Sequence, residues 1–187
     1  MSKEITVTKT RIPVRSMMLV SLMTAICCIL APISIPIGPV PISLSVMAVL
    51  FCAYILEPWL GSLTVALYIL IGLVGLPVFS GYAGGPAKLF GPTGGYILGY
   101  LPLVFITGLF VRKWKNTWFL QLLGMFLGLA LCYITGTTWF MLLTKMSLAE
   151  ALALCVYPFI AFDLVKIVTA FFLGNTITRT TDRYFHT

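Results

Sequence analysis

Acidic side chains are scarce in this chain: Glu4, Glu57, Glu150, Asp163 and Asp182 are the whole set among 187 residues. Glu57, Glu150 and Asp163 fall within or beside apolar stretches and are far apart in sequence, so paired-carboxylate catalysis has little to work with. Histidine is scarcer still. The single one, His186, sits in the C-terminal tail and leaves no imidazole inside the apolar segments for a Ser-His-Asp relay or a zinc site. No Gly-x-x-x-x-Gly-Lys-Ser/Thr run occurs; Gly91-Pro-Thr-Gly-Gly-Tyr96 has glycines but no lysine where a phosphate loop needs it, which argues against ATP hydrolysis. Cys27, Cys28, Cys52, Cys132 and Cys155 lack metal-type spacing and read as small packing residues rather than a disulfide framework. Neither an enzyme nor a resident cofactor is expected.

Charge of either sign is low, at 9% of residues, where a soluble domain carries about 25%. Hydrophobic residues make up 60% and the mean hydropathy is +1.06. Such a chain belongs in a bilayer. Six apolar stretches, 16–30, 43–56, 60–76, 93–111, 117–144 and 158–177, predict an all-α integral membrane protein, a single domain over 1–187 with six spans in one bundle. Basic residues precede the first stretch, but no small-x-small cleavage site follows it, so it reads as an anchor rather than a signal peptide. Ser147-Leu-Ala-Glu150 looks like a capping box for a brief helix, and Pro158 suits the first turn of the last span.

Six spans place both termini on one side. That side would hold Lys3, Lys9, Arg11, Arg15, Arg112, Lys113, Lys115, Arg179 and Arg183, and the other only Lys88 and Lys145. The positive-inside rule then puts both termini, including the tail 1–14, in the cytoplasm of a plasma-membrane protein. The net charge of +7 is mostly topology, with some attraction to anionic membrane lipid and no nucleic-acid partner implied.

Within the last stretch stand Asp163 and Lys166, opposite charges three residues apart on one helical face. Each costs about 2.5–3.5 kcal/mol to insert, so an intramembrane ionisable pair is a candidate functional site, the alternative being that the two charges simply neutralise each other on the helix. A carboxylate that accepts and an ammonium that donates suit a small polar ligand carrying both donors and acceptors. Two connections on the outer side fit lids over a pocket. Segment 31–41 has four prolines and no charge, so it is stiff and extended. Segment 77–92 lies in the run from Gly75 to Tyr96, whose seven glycines permit close backbone approach and whose Phe79, Tyr82, Phe90 and Tyr96 supply flat apolar walls. Small residues at spacing four mark helix contacts: Gly124, Gly128, Cys132 and Gly136 read as packing within the bundle. Ser21 and Ala25 on the first span fit either packing or docking of a partner.

Four runs in order, Gly38-Pro-Val-Pro-Ile-Ser-Leu-Ser-Val-Met-Ala-Val-Leu50, Gly75-Leu-Pro-Val-Phe-Ser-Gly81, Gly91-Pro-Thr-Gly-Gly-Tyr96 and Pro158-Phe-Ile-x-x-Asp163-x-x-Lys166, resemble the biotin-specific S components, the BioY family. These are the substrate-binding subunits of energy-coupling-factor vitamin transporters, and the resemblance runs from Arg11 almost to the end. It implies capture of biotin from outside, then transport with a transmembrane coupling subunit and two ATPase subunits. It further implies that Asp163 and Lys166 lie in the ligand pocket and that Ser21 and Ala25 dock the coupling subunit. Relatives often carry Gln where this chain has Ser45, and Gly where it has Phe162.

Biotin fits the chemistry of these residues: its ureido ring has two N–H donors and one acceptor, and its thiophane ring and valeryl chain are apolar. The expected binding set is Asp163, Lys166, Val40, Ser43, Phe79, Ser80, Tyr82 and Tyr96. The residues alone do not select biotin over another small vitamin. They also leave open a self-sufficient secondary transporter with the Asp–Lys pair as a proton switch.

Overall fold

The computed structural model describes residues 13–185, with side chains described through Thr176. Lys3, Lys9, Arg11 and His186, and most of the expected tail 1–14, lie outside the described residues, as do the side chains of Arg179, Asp182 and Arg183. The chain is mostly helical. In order it forms α1 (Val14–Leu30), β1 (Ser34–Ile35), β2 (Ile42–Ser43), α2 (Ser45–Ile55), α3 (Pro58–Leu73), α4 (Pro86–Leu89), α5 (Gly94–Lys113), α6 (Trp118–Thr144), α7 (Leu148–Cys155) and α8 (Tyr157–Phe185).

Each expected apolar stretch has its helix: α1, α2, α3, α5, α6 and α8. By length and composition α5, α6 and residues 157–176 of α8 can each cross a membrane, whereas α1, α2 and α3 are shorter. At about 1.5 Å per residue, the 11 residues of α2 reach only ~16 Å, about half the hydrocarbon thickness. Prolines set its limits. Upstream, Pro36, Pro39 and Pro41 cannot donate to a helix ladder. Downstream, Glu57 takes an extended ψ of 152° ahead of Pro58, which opens α3 where its missing N–H is no loss. The expected second span therefore loses Ser43 to β2, which pairs antiparallel with β1 in the register Ser34↔Ser43 and Ile35↔Ile42. The third span ends earlier than expected, because the chain turns at Gly75 with φ +112°, a conformation that favours glycine.

The centre of the bundle is α2, which touches α1, α3, α5 and α8. Its side chains are apolar nearly all round, and Ala48, Val49, Leu50, Cys52 and Ala53 are all buried, as such a helix requires. The most extensive pairing is α5 with α6, antiparallel across the short turn at 114–117. Here the small-residue stripe packs within the bundle, as expected. A Cβ added to Gly124 would strike Phe110, one on Gly128 would press Leu103 and Thr107, and one on Gly136 would strike the Tyr96 ring. Cys132 meets Gly99 in the same way. Small residues on α6 thus let the α5 side chains seat against its backbone.

Outside the long helices, α7 begins with the expected capping box. The Glu150 amide donates to Ser147 Oγ at 3.4 Å and the Ser147 amide donates to Glu150 Oε2 at 3.0 Å. The Ser147 hydroxyl, which donates to Glu150 Oε2 at 2.8 Å, and then the Ser147 amide hold the Glu150 carboxyl below its usual range.

Overpacking a seated glycine costs about 1–3 kcal/mol. Gly124→Leu is therefore expected to lower the thermal unfolding temperature in detergent by displacing Phe110, whereas Leu127→Ala, on the exposed face of the same helix, should change it little.

Candidate ligand-binding site

Helix α8 divides its faces by chemistry. Phe162, Leu164, Val165 and Val168 are exposed and apolar, as a lipid-facing side requires, while Phe159, Asp163, Lys166, Ile167 and Ala170 turn inward and are buried. Asp163 is only 2% exposed and Lys166 only 7%. Neither charge is bare. Lys166 Nζ donates to Asp163 Oδ1 at 2.7 Å, and the hydroxyl of Tyr133 on α6 donates to Asp163 Oδ2 at 2.6 Å. Both distances are those of charge-assisted hydrogen bonds, which run shorter and stronger than neutral ones.

This pair forms one wall of a cavity of about 40 Å³. Val40, Pro41 and Ser43 contribute from the Pro-rich segment and β2, and Val46 from α2. Tyr96 and Tyr100 come from α5, Leu129, Cys132 and Tyr133 from α6, and Phe159 from α8. The sheet explains how a proline-rich segment reaches so deep: pairing with β1 turns β2 inward, so Ile42 and Ser43 are buried. Ser43 Oγ lies 2.8 Å from Ser45 Oγ, and both hydroxyls are buried beside the cavity.

Several bonds tie down the end of the bundle that carries the cavity. The Gly81 amide donates to Pro32 O at 3.1 Å, joining the two irregular segments. The Trp139 indole donates to Gly91 O at 3.0 Å. Tyr96 Oη lies 3.0 Å from Thr137 Oγ1 and donates to Cys155 O at 3.4 Å, so one side chain links α5, α6 and the end of α7. Lys88 on α4 is half-buried, and desolvation lowers its pKa. Among the described residues, no group of three or more His, Cys, Asp or Glu side chains converges to hold a metal ion.

Of the eight residues expected to contact a ligand, Val40, Ser43, Tyr96, Asp163 and Lys166 meet around this cavity. Phe79, Ser80 and Tyr82 are not among its lining residues. Phe79 is fully buried, edge-on to Tyr68 with ring centroids 5.6 Å apart, and its amide donates to Ala83 O at 2.9 Å. That tight turn sends Tyr82 outward, 69% exposed with φ 56°, and leaves Ser80 half-buried. Two of the seven lining residues that sequence reasoning missed lie one helical turn from one that it found. Tyr100 follows Tyr96 by four positions and Phe159 precedes Asp163 by four, so the period of the helix could have found both. Tyr133 carried no such signal.

Ser21 and Ala25 lie far from this chemistry. Both are exposed on α1, among the exposed Met17, Met18, Leu22 and Ile29, while Met23, Thr24 and Cys27 face the core. Ser21 Oγ donates to Met17 O at 3.0 Å, so its hydroxyl is satisfied within the helix. Unlike the stripe on α6, this small-residue face is not used within the bundle. Ser45 and Phe162 also have clear placements: Ser45 bonds Ser43, and Phe162 is on the exposed side of α8.

Comparison with known proteins agrees with this architecture. The BioY family profile matches residues 1–183. The biotin transporter BioY of Thermotoga maritima is 39% identical over 157 residues, covering 83% of this chain and 91% of that protein. The probable biotin transporter BioY of Pyrococcus horikoshii is 38% identical over 159 residues, covering 85% and 93%. The crystal structure of the S-component for biotin from an ECF-type ABC transporter superposes with a TM-score of 0.83 at 30% identity, covering 89% of this chain and 92% of that one. By profile, by relatives well above 30% identity over most of both chains, and by fold, this chain belongs to the BioY family.

Proposed function

We propose that this multi-pass membrane protein is the biotin-binding S component of an energy-coupling-factor importer, and not an enzyme. The observation that carries the reading is the Asp163 carboxylate, buried between Tyr133 and Lys166 and facing a cavity whose other walls, Ser43 apart, are apolar or aromatic. The Thermotoga maritima relative is a biotin transporter, and the solved structure that this fold matches is an S-component for biotin. In this reading Asp163 accepts a ureido N–H and Lys166 donates to the ureido carbonyl or to the valerate carboxylate. Val40, Ser43 and Tyr96 line the pocket. Phe79, Ser80 and Tyr82 belong to the covering segment 77–92, which with 31–41 closes the outer side. A cavity of about 40 Å³ is smaller than the roughly 300–1,000 Å³ typical of ligand sites, so biotin enters by moving these two segments apart.

Sidedness follows from the basic residues. Arg15, Arg112, Lys113 and Lys115 cluster at the end away from the cavity, and Lys88 and Lys145 near it, so the cavity faces outside and both termini face the cytoplasm of the plasma membrane. Basic residues at the inner end attract anionic lipid. With no phosphate loop in the chain, energy comes from two ATPase subunits through a transmembrane coupling subunit, which docks on the small-residue face of Ser21 and Ala25.

Two measurements test this reading. Asp163→Asn keeps the shape and weakens the acceptor, so titration calorimetry with biotin should show a loss of about 10- to 150-fold, the scale of one hydrogen bond to a charged group. Lys166→Met should also weaken binding, because it leaves Asp163 short of its partner. Normal affinity in both variants removes the pair from the site. Separately, Ser21→Trp and Ala25→Trp should leave biotin binding near normal in the isolated protein but abolish co-purification with the coupling subunit and ATP-dependent uptake. Assembly and transport by both Trp variants would place the docking face elsewhere.

A further inference from the structure

Asp163 has a second partner besides Lys166, and that partner comes from a different helix. Tyr133 is half-buried on α6, and its ring lies between two spaces. On one side is the cavity that holds Asp163. On the other is an apolar groove of about 210 Å³ lined by Phe126, Leu129, Ala130, Tyr133, Ile160 and Leu164, most of them exposed or half-exposed on α6 and α8. Tyr133 and Leu129 are common to both linings and form the partition. The seam is thin, since α6 and α8 touch at few points compared with α5 and α6. The hydroxyl of Tyr133, 2.6 Å from Asp163 Oδ2, makes a polar bond that spans it.

We infer that Tyr133 is a positioning residue for ligand capture: it orients the Asp163 carboxylate across the α6–α8 seam while its ring closes the cavity against the lipid-facing groove. This rests on the reading of Asp163 as the ligand's acceptor. A carboxylate on a helix turns easily about its last torsion, and one bond to Lys166 fixes only one oxygen. A second bond from another helix fixes the plane. An ionised carboxylate has about four acceptor positions. Tyr133 and Lys166 occupy two, so about two remain at set directions for ligand N–H donors. Fixing these directions before binding removes an ordering cost that would otherwise fall on the complex. Tyrosine suits the position because its ring matches the apolar groove and its hydroxyl matches the carboxylate.

The test is a double-mutant cycle read by biotin affinity in detergent or nanodiscs. Tyr133→Phe keeps the partition and removes the bond, so biotin should bind less tightly by on the order of tenfold. In the Asp163→Asn background the same change should have almost no further effect, because the residue it acts through is already altered. Equal losses in both backgrounds assign Tyr133 to general packing and overturn the inference, as does an unchanged affinity for Tyr133→Phe alone. Leu129→Ala breaches the partition without touching the hydrogen bond, and its loss should be the same in both backgrounds; dependence on Asp163 would attribute the coupling to the wall and overturn the role of the hydroxyl. Where Tyr133→Phe does not give folded protein, Tyr133→Gln and Tyr133→Met, similar in length with and without an N–H donor, carry the comparison: Gln should bind biotin more tightly than Met, and equal affinities overturn it. Failure here is separable from failure of the binding reading. If Asp163→Asn leaves biotin affinity intact, the site itself is misplaced; if it weakens binding while Tyr133→Phe does not, only the positioning role falls.

Discussion

A carboxylate buried among apolar helices is the constraint on which the site depends. Asp163 is almost wholly out of solvent, and an ionised group there is tolerated only when paired and hydrogen-bonded. Lys166, one turn away, supplies a charge partner from the same helix and needs no tertiary contact to do so. Tyr133 supplies the second bond from α6, which requires the two helices to lie in one arrangement. The chemistry of one side chain thereby restricts how α8 faces the bundle. Its inward side must carry Asp163 and Lys166, and its outward side is left to Phe162, Leu164, Val165 and Val168.

The rest of the bundle supplies a rigid wall for that charge. Glycines on α6 allow α5 to approach closely, and this contact places Tyr96, Tyr100, Cys132 and Tyr133 around one space. The short, almost fully buried α2 lies at the centre, and the small sheet above it swings Ser43 into the same space. Small residues stand in two different environments in this chain. On α6 they are consumed by packing against α5, whereas on α1 Ser21 and Ala25 remain exposed among large apolar neighbours. Spacing alone could not separate these cases, since both are small residues four positions apart and burial distinguishes them.

Much of the architecture was legible because the bilayer leaves few options. Long apolar runs with hardly any charge must be helices, and the six expected stretches coincide with α1, α2, α3, α5, α6 and α8 to within a few residues at most ends. The capping box at Ser147 and Glu150 and the first-turn proline at 158 were legible for the same local reason: each depends on neighbours in sequence. Of the site, Asp163 and Lys166 stood out because charge is conspicuous in an apolar helix, and Val40, Ser43 and Tyr96 came with the motifs around them. Phe79, Ser80 and Tyr82 share a motif with residues near the cavity end, yet one tight turn at Phe79 and Ala83 directs Phe79 into the core and Tyr82 outward.

The sequence by itself determined the solvent, the helices, the charged pair and the family, because composition, periodicity and motif order are properties of the chain read in a line. Tertiary structure alone decided which aromatic rings face the pair, that Tyr133 bonds the second oxygen of Asp163, and that the glycine stripe is buried while Ser21 and Ala25 are not. Those outcomes depend on the rotation of each helix against its neighbours. That rotation is set by side chains distant in sequence, such as Gly136 receiving the ring of Tyr96 and Asp163 receiving the hydroxyl of Tyr133.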